Sequence, residues 1–178
     1  MDLRETLLER KDIYAGRVVR LHVDTVRLPD GGTSLREIVD HPGGVAILAL
    51  DENNNVLIVR QFRYAYGKTL LEIPAGKLEY GEDPYCAAMR ELREETGAST
   101  DTLTPMGEIY PTPGFCNEII RLYFAKDLTW GEMDLDEDEF LTVERIPFPV
   151  LLEKVLSGEI IDGKTALAVM KAKLLLDL

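Results

Sequence analysis

The sequence predicts an α/β fold with a mixed sheet, preceded by a small antiparallel β unit. Apolar, β-branched runs at 43–50 ("GGVAILAL") and 56–62 ("VLIVRQF") have the length and composition of buried strands. Two C-terminal stretches, "FPVLLEKVLSGEI" and "KTALAVMKAKLLLDL", carry helical periodicity instead. The strands and helices do not alternate regularly as βαβ units, so a purely parallel sheet is not expected. At 178 residues, 46% of them hydrophobic, the chain is long enough for one good core.

The N-terminal unit is read from residues 13–39. "RVVRLHVDTVRL" alternates, a Pro-Asp-Gly-Gly turn occupies 29–32, and "TSLREIVD" alternates again. Turn residues between alternating runs signal a hairpin. We therefore divide the chain into an N-terminal β unit, 1–40, and a main domain, 41–178. The main domain opens with the two buried runs, joined across the polar turn "DENNN". "TLLEIPAG" is a further strand, stopped by Pro74. Asp83 followed by Pro84 reads as a helix start, and Gly97 as its stop. "TPMGEIYPTPGF" is expected to be loop-rich, "EIIRLYFAKDL" alternates like a strand, and "DLDEDE" is an acidic loop.

Composition excludes several classes of function. Lys and Arg number 20 against 32 Asp and Glu, a net charge of -12, which repels a nucleic-acid backbone. No apolar run approaches the roughly 20 residues that span a bilayer. The charged N-terminus has no signal-peptide core. Cys86 and Cys116 show no metal-type spacing and read as free thiols of a reducing cytoplasm.

The helix from Pro84 to Thr96 poses a physical question. At about 100° per residue, Tyr85, Ala88, Met89, Leu92 and Thr96 share one arc, and Glu91, Glu94 and Glu95 share its neighbour. Like charges at these spacings repel, and no lysine lies between them to offset the repulsion. The glycine-bearing loop before the helix can bring backbone carbonyls to the same place. Clustered carboxylates of this kind suit a hard divalent cation, Mg²⁺, Mn²⁺ or Ca²⁺, rather than zinc.

The same stretch resembles the Nudix box, G-x5-E-x7-R-E-U-x-E-E-x-G-U. Gly76, Glu82, Arg90, Glu91, Leu92, Glu94, Glu95, Gly97 and Ala98 fill its nine specified places in order, with Ala98 small for the last aliphatic site. The resemblance implies a Nudix α/β/α sandwich, a divalent-metal requirement and hydrolysis of a nucleoside diphosphate linked to another moiety. The flanks "EIPAGK" and "YPTPGFCNE" are similar to the ADP-ribose pyrophosphatase branch, whose downstream proline falls at Pro113. That branch implies cleavage of ADP-ribose to AMP and ribose 5-phosphate, and a homodimer with exchanged N-terminal sheets. Two alternatives stand beside it: a pyrophosphatase for another nucleotide sugar such as GDP-mannose, and a silent nucleotide-sugar-binding module.

What the resemblance implies for single residues follows from the box and its flanks. Glu91, Glu94, Glu95 and the Ala75 carbonyl would hold two or three Mg²⁺, with Mn²⁺ able to substitute. Arg90 would orient a glutamate through paired hydrogen bonds, and Glu82 would support the loop. Arg36, Arg63, Thr112, Pro113 and Glu118 would meet the substrate. Where the family often presents an aromatic ring to the base, this chain has Arg17 and Val18. The general base is expected from "DLDEDEF", with Glu137 at the catalytic position and Glu139, two residues on, as the other candidate.

Overall fold

A strand buried along its whole length must lie inside a sheet that is covered on both faces. Gly44–Ala49 is such a strand: all six of its residues are buried. The computed structural model describes residues 2–176. In chain order the strands are β1 (Thr6–Ala15), β2 (Arg20–Arg27), β3 (Thr33–Asp40), β4 (Gly44–Ala49), β5 (Asn55–Arg63) and β6 (Lys68–Glu72). They continue as β7 (Ala75–Lys77), β8 (Ala98–Ser99), β9 (Leu103–Ile109), β10 (Ile120–Ala125), β11 (Thr129–Trp130) and β12 (Leu141–Pro147). The helices are α1 (Pro84–Thr96), α2 (Phe148–Leu156) and α3 (Gly163–Leu175). The last two residues of the sequence-predicted C-terminal helix, Asp177 and Leu178, lie outside the described residues.

The chain separates into two compact units, Met1–Gly43 with Tyr110–Ile119, and Gly44–Ile109 with Ile120–Leu178. In the larger unit, one sheet has the order β7-β4-β10-β9 and a second has the order β12-β5-β6. β4 runs parallel to β10, and the other pairings of the first sheet are antiparallel, so the sheet is mixed. Alternate residues of β4 feed two cores. Val45, Ile47 and Ala49 pack with Ala87, Ala88 and Leu92 of α1. Ala46 and Leu48 pack with Leu151 of α2 and Ala168, Val169 and Ala172 of α3. Helices thus cover both faces of the strand.

The expected strand "TLLEIPAG" is two strands in two sheets. β6 ends at Glu72, and β7 begins at Ala75 beside β4, with Pro74 between them. Proline has no N–H to continue a ladder, and here its carbonyl accepts from Ile47 N at 2.8 Å. "TPMGEI" was expected to be loop-rich but forms most of β9. Pro105 and Gly107, at φ +100°, fit because the register with β10 shifts between Leu122 and Tyr123. That β-bulge absorbs both breakers.

In the smaller unit, β1, β2 and β3 form one antiparallel sheet. β1 begins at Thr6, well before the residue-13 start read from the sequence. All ten of its residues are exposed, so it carries no buried face for an alternation pattern to reveal. A polar cluster sits within this sheet. Arg10 donates twice to buried Asp24, both bonds at 2.8 Å, and His22 Nδ1 lies 2.9 Å from Asp24 Oδ1. His22 Nε2 is 3.3 Å from Asp40 Oδ2 but makes no aligned hydrogen bond there. The loop Tyr110–Ile119 is tied to β3, with Val39 N donating to Phe115 O and Asn117 N donating to Val39 O. Among the described residues no helix is long and apolar enough to cross a membrane.

Candidate active site

α1 starts where the sequence provides an acceptor for its orphan amides. Asp83 Oδ1 accepts from Tyr85 N at 3.0 Å and Cys86 N at 3.1 Å, and Pro84 takes the first helical position. Gly97, at φ +70°, closes the helix and donates to Arg93 O. Apolar packing of Ala87, Ala88 and Leu92 then fixes its rotation. That rotation carries Glu91 and Glu95 below the surface, where they remain 8% and 2% exposed.

Arg90 ties this cluster together. Its Nε and Nη2 donate to the two carboxylate oxygens of Glu82 at 2.9 and 3.0 Å. Its Nη1 donates to Glu91 at 2.8 Å and to Glu94 at 2.9 Å. The guanidinium is held even more firmly protonated than usual, chiefly by Glu82. Glu82 also accepts from Glu79 N at 2.9 Å, so the loop before α1 is braced by the same carboxylate. The bond to Arg90 holds Glu82 below the ordinary carboxylate range.

Among the described residues Glu95 forms no such ion pair. Burial pushes its carboxyl up to about 8, opposed by the amide of Ala75, which donates to Oε2 at 2.8 Å. The charges of Glu91 and Glu139 push the same way as burial. Burial also raises Glu91, against the pull of Arg90. Gly76 makes room for this arrangement: a Cβ there would overlap the Glu91 carboxylate. Among the described residues no three His, Cys, Asp or Glu side chains converge as a ready-made metal cage. The donor chemistry nonetheless fits a hard divalent ion. The side-chain donors are all oxygen, and buried Glu95 forms no ion pair among the described residues.

The acidic loop brings one of its two candidates toward this cluster. The Glu139 carboxyl is raised by burial first and by neighbouring acids, including Glu94, and its charge is felt by Glu91 and Glu95. Glu137 is exposed on the turn. Of the two expected candidates, Glu139 is the less exposed. Glu139 N donates to Asp136 O, forming a turn with residues 137–138 at its exposed corner.

Arg63 lies in the same unit, but its fork is occupied. Nε and Nη2 each donate to Glu72 at 2.7 Å. Its charge is felt by Glu95, so it lies near the acid cluster. Arg36, Thr112, Pro113 and Glu118 belong to the smaller unit. Arg36 spends its fork on Glu5, at 2.9 and 2.5 Å, with further bonds to Ser34 and the Leu35 carbonyl. The Thr112 carbonyl accepts from Phe115 N and Cys116 N, and Glu118 lies 3.5 Å from His41 Nδ1. Pro113, Tyr110, Phe115 and Ile38 help line an open cavity of about 220 Å³. Sequence reasoning missed Glu72 and its second partner, Lys164. Spacing could not have found them, because the two residues lie 92 positions apart.

The close approach at Gly76 has a measurable consequence. Gly76→Ala should displace the Glu91 carboxylate and lower unfolding free energy by about 1–3 kcal/mol. Gly114→Ala, where a Cβ meets nothing within 4 Å, should be near neutral. Paired denaturant titrations of the two variants provide the check.

Comparison with known proteins agrees with this architecture. The family described as the NUDIX domain matches residues 40–164, and the nucleoside diphosphate sugar hydrolase N-terminal domain matches residues 5–39. An ADP-ribose pyrophosphatase of Bacillus subtilis (strain 168) is 43% identical, over 97% of this chain and 94% of its own. A methanol dehydrogenase activator of Bacillus methanolicus is 44% identical, over 96% and 93%. A crystal structure of an ADP compounds hydrolase superposes with a TM-score of 0.86 over 99% of this chain and 97% of its own. At 20% identity it speaks for the fold. With the NUDIX match covering well over half its length and Glu82, Glu91 and Glu94 of the box gathered around Arg90, the chain belongs to the Nudix family.

Proposed function

We propose that this protein hydrolyses the pyrophosphate bond of ADP-ribose, releasing AMP and ribose 5-phosphate. The observation that carries the reading is the run of box carboxylates Glu91, Glu94 and Glu95 on one helix, with Glu91 against Gly76 and Glu95 buried and bonded to the Ala75 amide. Similarity to an ADP-ribose pyrophosphatase over nearly the whole chain supports the substrate. Nudix hydrolases generally need divalent metal ions. Glu91, Glu94, Glu95 and the Ala75 carbonyl are the groups that would hold them, and we assign two or three Mg²⁺, replaceable by Mn²⁺. Bound there, such ions would neutralise charge on the pyrophosphate and ease the loss of a proton from water.

The chain's own residues supply the rest. Arg90 keeps Glu91 and Glu94 oriented, and its bond to Glu82 couples that orientation to the loop before α1. Arg63 contributes positive charge beside the cluster for a substrate phosphate. Arg36, Thr112, Pro113 and Glu118 are proposed to recognise the remainder of the nucleotide sugar. Water attacks one phosphorus, the bridging P–O bond breaks, and a carboxylate accepts the water's proton. Glu139 suits that last role better than Glu137, because burial raises its basicity and its charge faces the cluster.

The N-terminal sheet supports a homodimer. β1 is an edge strand, and its Leu7, Leu8, Ile13 and Tyr14 are all exposed. A long exposed edge with apolar side chains is a liability that a second copy of the chain relieves. The free thiols of Cys86 and Cys116 support a reducing, cytoplasmic setting.

Three measurements test these assignments. AMP release should be fastest per kcat/KM from ADP-ribose in a panel with GDP-mannose, ADP-glucose and diadenosine polyphosphates, and excess chelator should abolish it. Inactivity on every member sinks the enzyme reading, and full activity in chelator sinks the metal assignment. Glu139→Gln should lower kcat by about 10²–10⁴-fold with little change in KM, while Glu137→Gln stays near wild type. The opposite pattern returns the base to Glu137. Light scattering should give twice the 20.0 kDa of one chain, and a fully active monomer would refute the dimer.

A further inference from the structure

Glu72 is 1% exposed and carries two cations. Arg63 donates to both of its oxygens, and Lys164 Nζ donates to Oε2 through a short bond. Lys164 also donates to Asp162 Oδ1 at 3.0 Å. The other oxygen of Asp162 accepts from Thr165 N at 3.0 Å and from Thr165 Oγ1 at 2.5 Å, which caps α3. Thr165 is itself fully buried. Its hydroxyl gives its proton to Asp162 and accepts one from Ile73 N at 2.9 Å. Two residues on from Ile73, Ala75 N donates to Glu95. One helix start therefore grips both the carboxylate that holds Arg63 and the backbone that reaches Glu95.

We infer that residues 162–165 form a positioning clamp with two separable arms. Lys164, through Glu72, sets Arg63. Thr165, through the segment 73–75 that leads into β7, sets Glu95. The inference rests on the hydrolase reading given above and extends it to a helix that carries none of the box residues.

Packing alone does not account for this design. A carboxylate buried with two cations gains little net stability over an apolar group of the same shape, because desolvation offsets the attraction. What it does fix is direction. The paired Arg63–Glu72 bonds define the guanidinium plane and leave Nη1 outside both of them. Lys164 fixes the position of Glu72 in turn, so losing it frees the Arg63 fork to move without removing a residue of the acid cluster. Among the described residues the Thr165 hydroxyl is the one side-chain acceptor for the Ile73 amide, and Ile73 is completely buried. Losing the hydroxyl leaves that amide unpaired, and the segment must shift to find another acceptor.

The two arms predict opposite kinetic signatures. Lys164→Met should raise KM for ADP-ribose about tenfold, with kcat and Mn²⁺ affinity within twofold of wild type. Thr165→Val should lower kcat about tenfold and weaken Mn²⁺ binding, measured by calorimetry without substrate, by a similar factor at nearly unchanged KM. Lys164→Arg and Thr165→Ser should restore each parameter to within threefold. The clamp is overturned if both changes lower the melting temperature while KM, kcat and Mn²⁺ affinity stay within twofold. It is equally overturned if both move the same parameter, or if the conservative variants do not rescue. Should Thr165→Val give no cooperative melt, Asp162→Asn takes its place, and a Mn²⁺ affinity within twofold of wild type overturns the arm. Wild-type turnover of ADP-ribose, measured first, separates failure of the clamp from failure of the hydrolase reading. The Mn²⁺ measurements stand without turnover.

Discussion

The guanidinium of Arg90 meets three carboxylates at 2.8 to 3.0 Å, and the rest of the acidic helix is organised around that convergence. Glu91 and Glu94 sit at spacings that would otherwise repel and fray an isolated helix. The arginine relieves that repulsion from the adjacent position while its other edge holds Glu82 on the preceding loop. Glu95 is left outside the arrangement, buried and paired to a backbone amide. The strain of like charges is thus confined to one place, where a cation would be most welcome.

That confinement depends on rigidity beneath it. α1 is seated by Ala87, Ala88 and Leu92 on one side of β4, and α2 and α3 cover the other side. The crossing at Pro74 hands the chain from one sheet to the other within a few residues, so the backbone beside Glu95 is anchored from both sheets. Gly76 follows immediately, where only a hydrogen fits against the Glu91 carboxylate. Sheet order, helix seating and the close approach act together, and the cluster has little freedom to relax by moving backbone.

Much of this is legible in the sequence where chemistry is local. The caps of α1, the buried run of β4 and the spacing of the box residues all follow from neighbours within a turn or two. Features set by distant partners are not legible. β1 shows no alternation because neither of its faces is buried within the chain. β9 looks like loop because Pro105 and Gly107 are breakers by propensity, and only the bulge opposite Leu122 and Tyr123 makes them tolerable. The relative exposure of Glu137 and Glu139 is set by a short turn, which spacing does not encode. The Glu72–Lys164 pair joins residues far apart in sequence, and neither is unusual for its segment.

The parallel pairing of β4 with β10 also bears on how the chain reaches its fold. β4 finds β7 on one edge soon after it is made, but its other edge waits until residues 120–125 exist. A nascent chain halted before that point has its most apolar strand half-paired, with an open edge and one face short of the α3 residues that cover it. Such long-range closure is slow, and the waiting edge is open to the wrong partner. Synthesis of the second half of the chain is therefore the interval in which this protein is most exposed to aggregation, and the one in which a chaperone would have most to protect.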